Sequence, residues 1–291
     1  MIIPKGTLIP IGGAEDKGTD LEEGVIKRDR LNFFELGILK SVLNQIGKEN
    51  PTIILITTAS QIPDEVSENY LDAFAKLDCK NVTHLRIRNR DEVDKPEHIA
   101  AIEACDGIMI SGGNQMRLTT IYGGSEFLTI LKNRYQNEHN FVIAGTSAGA
   151  MAMSSTMIAE GRAQTAHQKG AVKLAVGWGL VRNLIIDSHF IKRGRFGRLA
   201  EAVARFPKLL GVGLAEDTAI IIEDRTNFKV IGSGMVIVFD PKSLSHNNFE
   251  ILPENMPMTM ANLTTHVLAN SDRFSILERE VEVLPVDAAF E

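Results

Sequence analysis

Cysteine is scarce in this chain. Only Cys79 and Cys105 occur among 291 residues. They form no metal-like spacing and no disulfide framework, which points to a reduced, cytoplasmic compartment. A basic excess is also missing. Lys and Arg total 31 against 37 Asp and Glu, a net charge of −6. That balance argues against a broad nucleic-acid-binding face. No apolar run is long enough to span a bilayer. The opening residues, Met1 to Gly6, have no basic segment leading into an apolar stretch, so no signal peptide is expected. A phosphate loop of the form Gly-x-x-x-x-Gly-Lys-Ser/Thr is absent, and no Gly-x-Gly-x-x-Gly follows the first apolar run. There is no linker rich in Gly, Ser or Pro, no repeat and no low-complexity tract. With 44% hydrophobic and 23% charged residues, the chain reads as one domain, residues 1–291, with a substantial core.

Periodicity then gives the class. Thr7–Ile11, Ile53–Ile56, Val82–Ile87, Gly107–Ile110 and Phe141–Ile143 are short, largely apolar runs. Runs of this kind fit strands covered on both faces, as in a parallel sheet. Between them, helical spacing is read over Leu31–Ile46 (Leu31, Phe34, Ile38, Val42, Ile46), 64–78, 95–104 and 115–135. This alternation predicts a doubly wound α/β fold with a mostly parallel sheet and helices on both faces. The second half differs. Residues 154–183 are polar with weak strand signals. Leu184–Asp187, Gly211–Leu214 and Thr218–Ile222 read as strands, and 193–206 as a helix. Phe228–Ile231 and Met235–Phe239 read as a hairpin around Gly232-Ser233-Gly234. A C-terminal antiparallel extension follows.

The chemistry centres on Gly145-Thr146-Ser147-Ala148-Gly149. A Gly-x-Ser-x-Gly between a strand and a helix puts the serine on a sharp turn with its hydroxyl exposed. Ligands of open α/β sheets sit beyond the C-terminal strand ends. The glycine pairs Gly12-Gly13 and Gly112-Gly113 fall at such ends. The N–H of Ala148 with that of Gly112 or, in the preferred pairing, Gly113 can form an oxyanion hole. A serine nucleophile needs a base. Of seven histidines, His189 is the best placed, just beyond a strand end. His167, in the polar loop, is also open. Glu216, Asp217 and Asp187 compete as the carboxylate that orients the base. The order Ser, His, acid differs from that of α/β-hydrolases. Arg193, Arg195 and Arg198 follow His189, and guanidinium groups there suit a substrate bearing carboxylates.

Five stretches together resemble the cyanophycinases, within the serine peptidase family that includes peptidase E. They are Ile11–Lys17, Ser111–Leu118, Gly145–Ala150, Asp187–Phe190 with the three arginines, and Gly213–Thr218. The resemblance implies a class I glutamine amidotransferase-like fold with Ser147 as nucleophile, His189 as general base and Glu216 as its partner. It also implies that Gln115, Asp187, Arg193, Arg195 and Arg198 line the substrate pocket. The expected substrate is cyanophycin, a poly-aspartate carrying arginine on its side chains, released as β-aspartyl-arginine. No metal or other cofactor, no nucleic acid and no membrane is implied, and a homodimer is. Asn114 stands where aspartate is common in the family, and the loop 160–173 (Arg162, His167, Gln168, Lys169) does not align with its pattern. Two other readings remain: a hydrolase of short aspartyl or isoaspartyl peptides, and a non-catalytic binding protein of the same fold.

Overall fold

A computed structural model describes residues 3–18, 31–161, 168–285 and 288. The first half alternates strands and helices as the periodicity predicts. In order these are β1 (Thr7–Ile11), α1 (Ile38–Ile46), β2 (Ile53–Ile56), α2 (Pro63–Lys76), β3 (Val82–Leu85), α3 (Arg90–Val93), α4 (Pro96–Ala104), β4 (Gly107–Ile110), α5 (Gln115–Tyr122), α6 (Glu126–Asn137), β5 (Val142–Thr146) and α7 (Ala148–Ala152). The second half supplies β6 (Thr156–Glu160), β7 (Lys173–Val176), β8 (Leu184–Asp187), α8 (Phe196–Arg205), β9 (Leu210–Leu214), β10 (Thr218–Ile222), β11 (Asn227–Gly232) and β12 (Val236–Asp240). Five short strands close the chain: β13 (His246–Asn247), β14 (Met260–Ala261), β15 (Thr264–Leu268), β16 (Arg273–Ser275) and β17 (Glu280–Glu282).

Nine strands form the main sheet, in the order β17-β16-β11-β10-β1-β5-β4-β2-β3. The five from β1 to β3 in that order run parallel, and the other four are antiparallel. Alternate side chains divide the parallel part between two apolar layers. Ile9, Ile11, Ile53, Leu55, Met109 and Ala144 pack with α1 and α2. Leu8, Ile54, Ile56, Ile108, Ile110 and Ile143 pack with α4 to α7. Each fully buried Ile or Leu contributes about 1.5–3 kcal/mol, so both faces are covered for a direct energetic reason. A second sheet, β15-β12-β9-β8, packs into the latter layer. No helix among the described residues is long and apolar enough to cross a membrane.

Two expectations need correction. The helix read from Leu31 starts only at Ile38. Asn32 caps a turn instead, accepting from Phe34 N–H at 3.0 Å, and Gly37 is extended at ψ 150°. The hairpin read around Gly232-Ser233-Gly234 does not form. β11 pairs with β10 and β16, while β12 pairs with β9 and β15. β12 is buried throughout and β11 at four of its six residues, and each takes the middle of a different sheet. The weak signals in 154–183 resolve as the antiparallel pair β6–β7. Arg162 and His167 lie outside the described residues.

Candidate active site

The C-terminal ends of β1, β5, β8 and β9 converge, and the site is built on the loops that leave them. Ser147 follows β5 at φ +50°, ψ −104°. This is a backbone conformation that costs on the order of 1–3 kcal/mol and persists only where the surroundings enforce it. The Ser147 N–H donates to Ile11 O at 2.9 Å, which fixes the elbow to the end of β1. His189 is also at positive φ (+48°), as are Ala14 (+50°) and Asp217 (+48°). Four strained, non-glycine residues thus meet at one place.

The loop after β1 ties them together. Gly12 O accepts from His189 N–H at 2.7 Å, and Gly13 O accepts from Asp217 N–H at 2.9 Å. Gly13, at φ +109°, lies directly under the imidazole: a Cβ there would sit 2.4 Å from His189 Cε1. Gly13→Ala is therefore expected to displace the ring. A displacement of about 1 Å costs on the order of 10²-fold in rate. Hydrolysis assays beside a melting curve would check this, and wild-type turnover in a folded variant would show that the ring does not depend on Gly13. Gly113, at φ +140°, is equally constrained, because a Cβ would approach Ala59 O to 2.1 Å. Gly112 runs beside the serine, its absent Cβ 3.3 Å from Ser147 Cβ.

His189 and Glu216 form a close pair, Nδ1 to Oε1 at 2.8 Å. With the ring proton of Nδ1 directed at this carboxylate, Nε2 is left as an acceptor. The other Glu216 oxygen meets Lys192 Nζ at 3.2 Å. Burial lowers the His189 pKa below the usual value, outweighing the Glu216 hydrogen bond that raises it, and Arg193 lowers it further. The ring is therefore neutral near pH 7. The Glu216 carboxyl lies below its usual range. Partial burial would raise it, but the His189 and Lys192 hydrogen bonds prevail. Asp217 turns away, accepting from Asp16 N–H and from the Ser233 hydroxyl.

A cavity of about 680 Å³ opens over these groups, lined by Ser147, His189, Gly112, Gly113 and Arg193, among others. Its floor carries Glu15, a buried carboxylate that accepts from Thr146 Oγ1 at 2.6 Å and from Tyr70 Oη. Lys17 Nζ pairs with Glu15 at 3.1 Å and lies over the Tyr70 ring. Glu15, Lys17 and Tyr70 went unassigned from sequence, although Glu15 and Lys17 fall in the first of the five resembling stretches. Charge alone could not show that Glu15 points inward beneath the Gly-x-Ser-x-Gly turn.

The other residues named from sequence divide. Arg193 is exposed and lines the cavity. Arg195 and Arg198 turn inward onto Asp187, which is fully buried. Arg198 Nε donates to Asp187 Oδ2 at 2.6 Å, and Arg195 Nη1 to Oδ1 at 3.1 Å. Burial lowers the Arg195 pKa to about 10 despite Asp187. Gln115 Nε2 donates to Ile158 O at 2.9 Å and Ala159 O at 2.8 Å, holding β6 in place. Among the described residues no group of three or more His, Cys, Asp or Glu could hold a metal ion.

Residues 33–230, more than half of the chain, match peptidase family S51. The chain belongs to that family. It is a serine-type peptidase. This S51 chain is 34% identical over 277 residues to a cyanophycinase of Trichormus variabilis, covering 95% of this chain and 88% of the relative. It is 31% identical to a cyanophycinase of Thermosynechococcus vestitus, with 96% and 81% covered. In fold it is similar to a crystal structure of a peptidase from an acI-B1 actinobacterium (TM-score 0.60, 17% identity, 91% of this chain and 97% of that one).

Proposed function

We propose that this chain is a serine exopeptidase that hydrolyses cyanophycin to β-aspartyl-arginine through Ser147, His189 and Glu216. The observation that carries this reading is the His189–Glu216 pair at 2.8 Å, facing the same cavity as a serine on a strained elbow. The similarity to cyanophycinases over most of the chain supports cyanophycin as the substrate. Ser147 Oγ attacks the scissile carbonyl while His189 Nε2 takes its proton, and Glu216 stabilises the resulting imidazolium. The N–H groups of Gly113 and Ala148 receive the oxyanion. His189 then returns the proton to the leaving amine. Water, activated by the same ring, hydrolyses the acyl-enzyme. The cations Arg193 and Lys17 lie at a cavity whose floor carboxylate, Glu15, is already paired, so a carboxylate of the substrate is attracted.

A second reading, hydrolysis of short aspartyl or isoaspartyl peptides, draws support from Arg195 and Arg198. Their charges are spent on Asp187 rather than offered to a polymer. Incubation with insoluble cyanophycin and with short aspartyl peptides, followed by mass identification of products, separates the two. Release of β-aspartyl-arginine from the polymer is the expected result, and cleavage of the short peptides alone would establish the second.

The pH profile follows from His189. The base must be neutral, and its pKa lies below the ordinary 6.5. The acid limb of kcat/KM is therefore expected below pH 6.5. Arg193→Gln removes a positive neighbour and should move that limb to higher pH. A limb unchanged in this variant, or moved to lower pH, would contradict the electrostatic account.

A further inference from the structure

The cavity over Ser147 and His189 has a second wall that the mechanism does not use. Lys17, Val66, Asn69 and Tyr70 are part of it. Among the residues lining the cavity, Glu15, Lys17 and Arg193 carry the formal charges, and Glu15 is the one acid. Its carboxylate is occupied. Oε2 accepts from Thr146 Oγ1 at 2.6 Å, and Oε1 accepts from Tyr70 Oη. The Glu15 side chain is 1% exposed and that of Lys17 23%, so a ligand entering the cavity meets the ammonium before the carboxylate.

Lys17 is held in place. Its Nζ lies 3.1 Å from Glu15 Oε1, 3.4 Å from Glu15 O and 4.8 Å from the centre of the Tyr70 ring. The backbone on either side is pinned. Asp16 N–H donates to Asp217 Oδ1 at 3.0 Å, and Lys76 Nζ donates to Gly18 O at 3.1 Å. An ammonium carries three hydrogens. Glu15 supplies two acceptors, and among the described residues there is no third. The Tyr70 and Thr146 hydroxyls share the stabilisation of Glu15, so the Lys17 charge is not wholly spent on it. Arg193, by contrast, is exposed, and solvent ions screen it. A cation already fixed in a partly desolvated position loses less side-chain freedom on binding an anion than a mobile surface cation does.

We propose that Lys17 is a specificity-determining residue. It binds a free carboxylate of the substrate in the cavity that holds Ser147, with Glu15 and Tyr70 as its supports. In a poly-aspartate whose side-chain amides carry arginine, each arginine keeps its own carboxylate free, and short aspartyl peptides carry carboxylates too. The same lining offers a guanidinium no free acid. The inference rests on the acidic-peptide reading above and holds for polymer and short peptide alike.

The test is calorimetric titration of two synthetic ligands into Ser147→Ala, used to prevent turnover. One is a dimer of β-aspartyl-arginine with its carboxylates free, and the other is the same dimer with every carboxylate converted to the carboxamide. The same titrations are made with Lys17→Gln and Lys17→Arg added. Glutamine keeps a donor for Glu15 without the charge, and arginine keeps both. The protein with Lys17 is expected to prefer the free dimer. Lys17→Gln should reduce that preference about tenfold, the worth of one charge-assisted hydrogen bond, and Lys17→Arg should retain most of it. An undiminished preference in Lys17→Gln would overturn the proposal, by placing the recognition on another cation. Equal weakening of both ligands would also overturn it, since the cavity itself would then be damaged. So would a loss in Lys17→Arg as large as in Lys17→Gln, equal binding of the two ligands by the protein with Lys17, or binding of neither. Hydrolysis of the free dimer by the wild type is scored separately. Cleavage without a carboxylate preference would remove the proposal and leave the peptidase reading, and a preference without cleavage would do the reverse.

Discussion

Replacing Ser147 by alanine is expected to lower hydrolysis by about 10⁶-fold, leaving only the roughly 10³–10⁴-fold over water that binding and the oxyanion hole supply. His189→Ala should cost a similar factor, and the double variant little more, because the two act as a unit. Glu216→Gln should cost less, on the order of 10⁴-fold, by leaving the ring present but in the wrong tautomer. All three should remain folded. The Ser147 main chain is held by Ile11 O and that of His189 by Gly12 O, so neither loop depends on the side chain removed. Steady-state rates on the preferred substrate, with circular dichroism as the control for folding, give the comparison. More than about 1% of wild-type activity in a purified Ser147→Ala preparation would rule out the mechanism.

The largest expected effect on stability lies nine residues past His189. Arg198→Met leaves the fully buried Asp187 with one cation instead of two, and breaks the bond from Nε at 2.6 Å. Removing a partner from a buried ion pair typically costs about 3–5 kcal/mol, and here Arg195, at 3.1 Å from Oδ1, is the only cation left to offset the carboxylate. For a chain of this length that lowers the melting temperature by roughly 5–8 °C. Activity should fall in the same variant, since Asp187 and Ser188 set the approach of His189. Adding Asp187→Asn should restore no stability, because it leaves the Arg195 guanidinium without its carboxylate. Urea unfolding of the single and double variants measures both, and a single variant within about 1 kcal/mol of the wild type would show that Arg195 alone suffices.

These two regions also mark what the sequence could and could not tell. Ser147 was legible because a Gly-x-Ser-x-Gly between an apolar run and a helix has few other uses. His189 was legible from its place after a strand of three apolar residues and an aspartate. Glu216, Asp217 and Asp187 stayed open because spacing does not give side-chain direction. In the structure the Glu216 carboxylate meets His189 Nδ1, while that of Asp217 accepts from Asp16 and Ser233. Arg195 and Arg198 read as substrate-facing cations because they follow His189 closely in sequence. The buried partner that draws them in, Asp187, becomes evident only once β8 is placed in the interior. The nine-stranded order and the second sheet were also out of reach, since they depend on which distant strands pair.

The loop after β1 has one more consequence. Residues 11–13 hold the backbone of Ser147, His189 and Asp217, and β1 itself lies between β5 and β10. During synthesis this segment leaves the ribosome early, yet its bonds to His189 and Asp217 form only after those residues have followed. On the proposed mechanism, a chain unfinished before residue 189 carries Ser147 without His189 or Glu216 and could not yet cut itself or its neighbours. By the same reasoning, a chain severed between β1 and α1 should be silent, and should regain turnover when the N-terminal fragment is supplied as a separate peptide that slots into the gap.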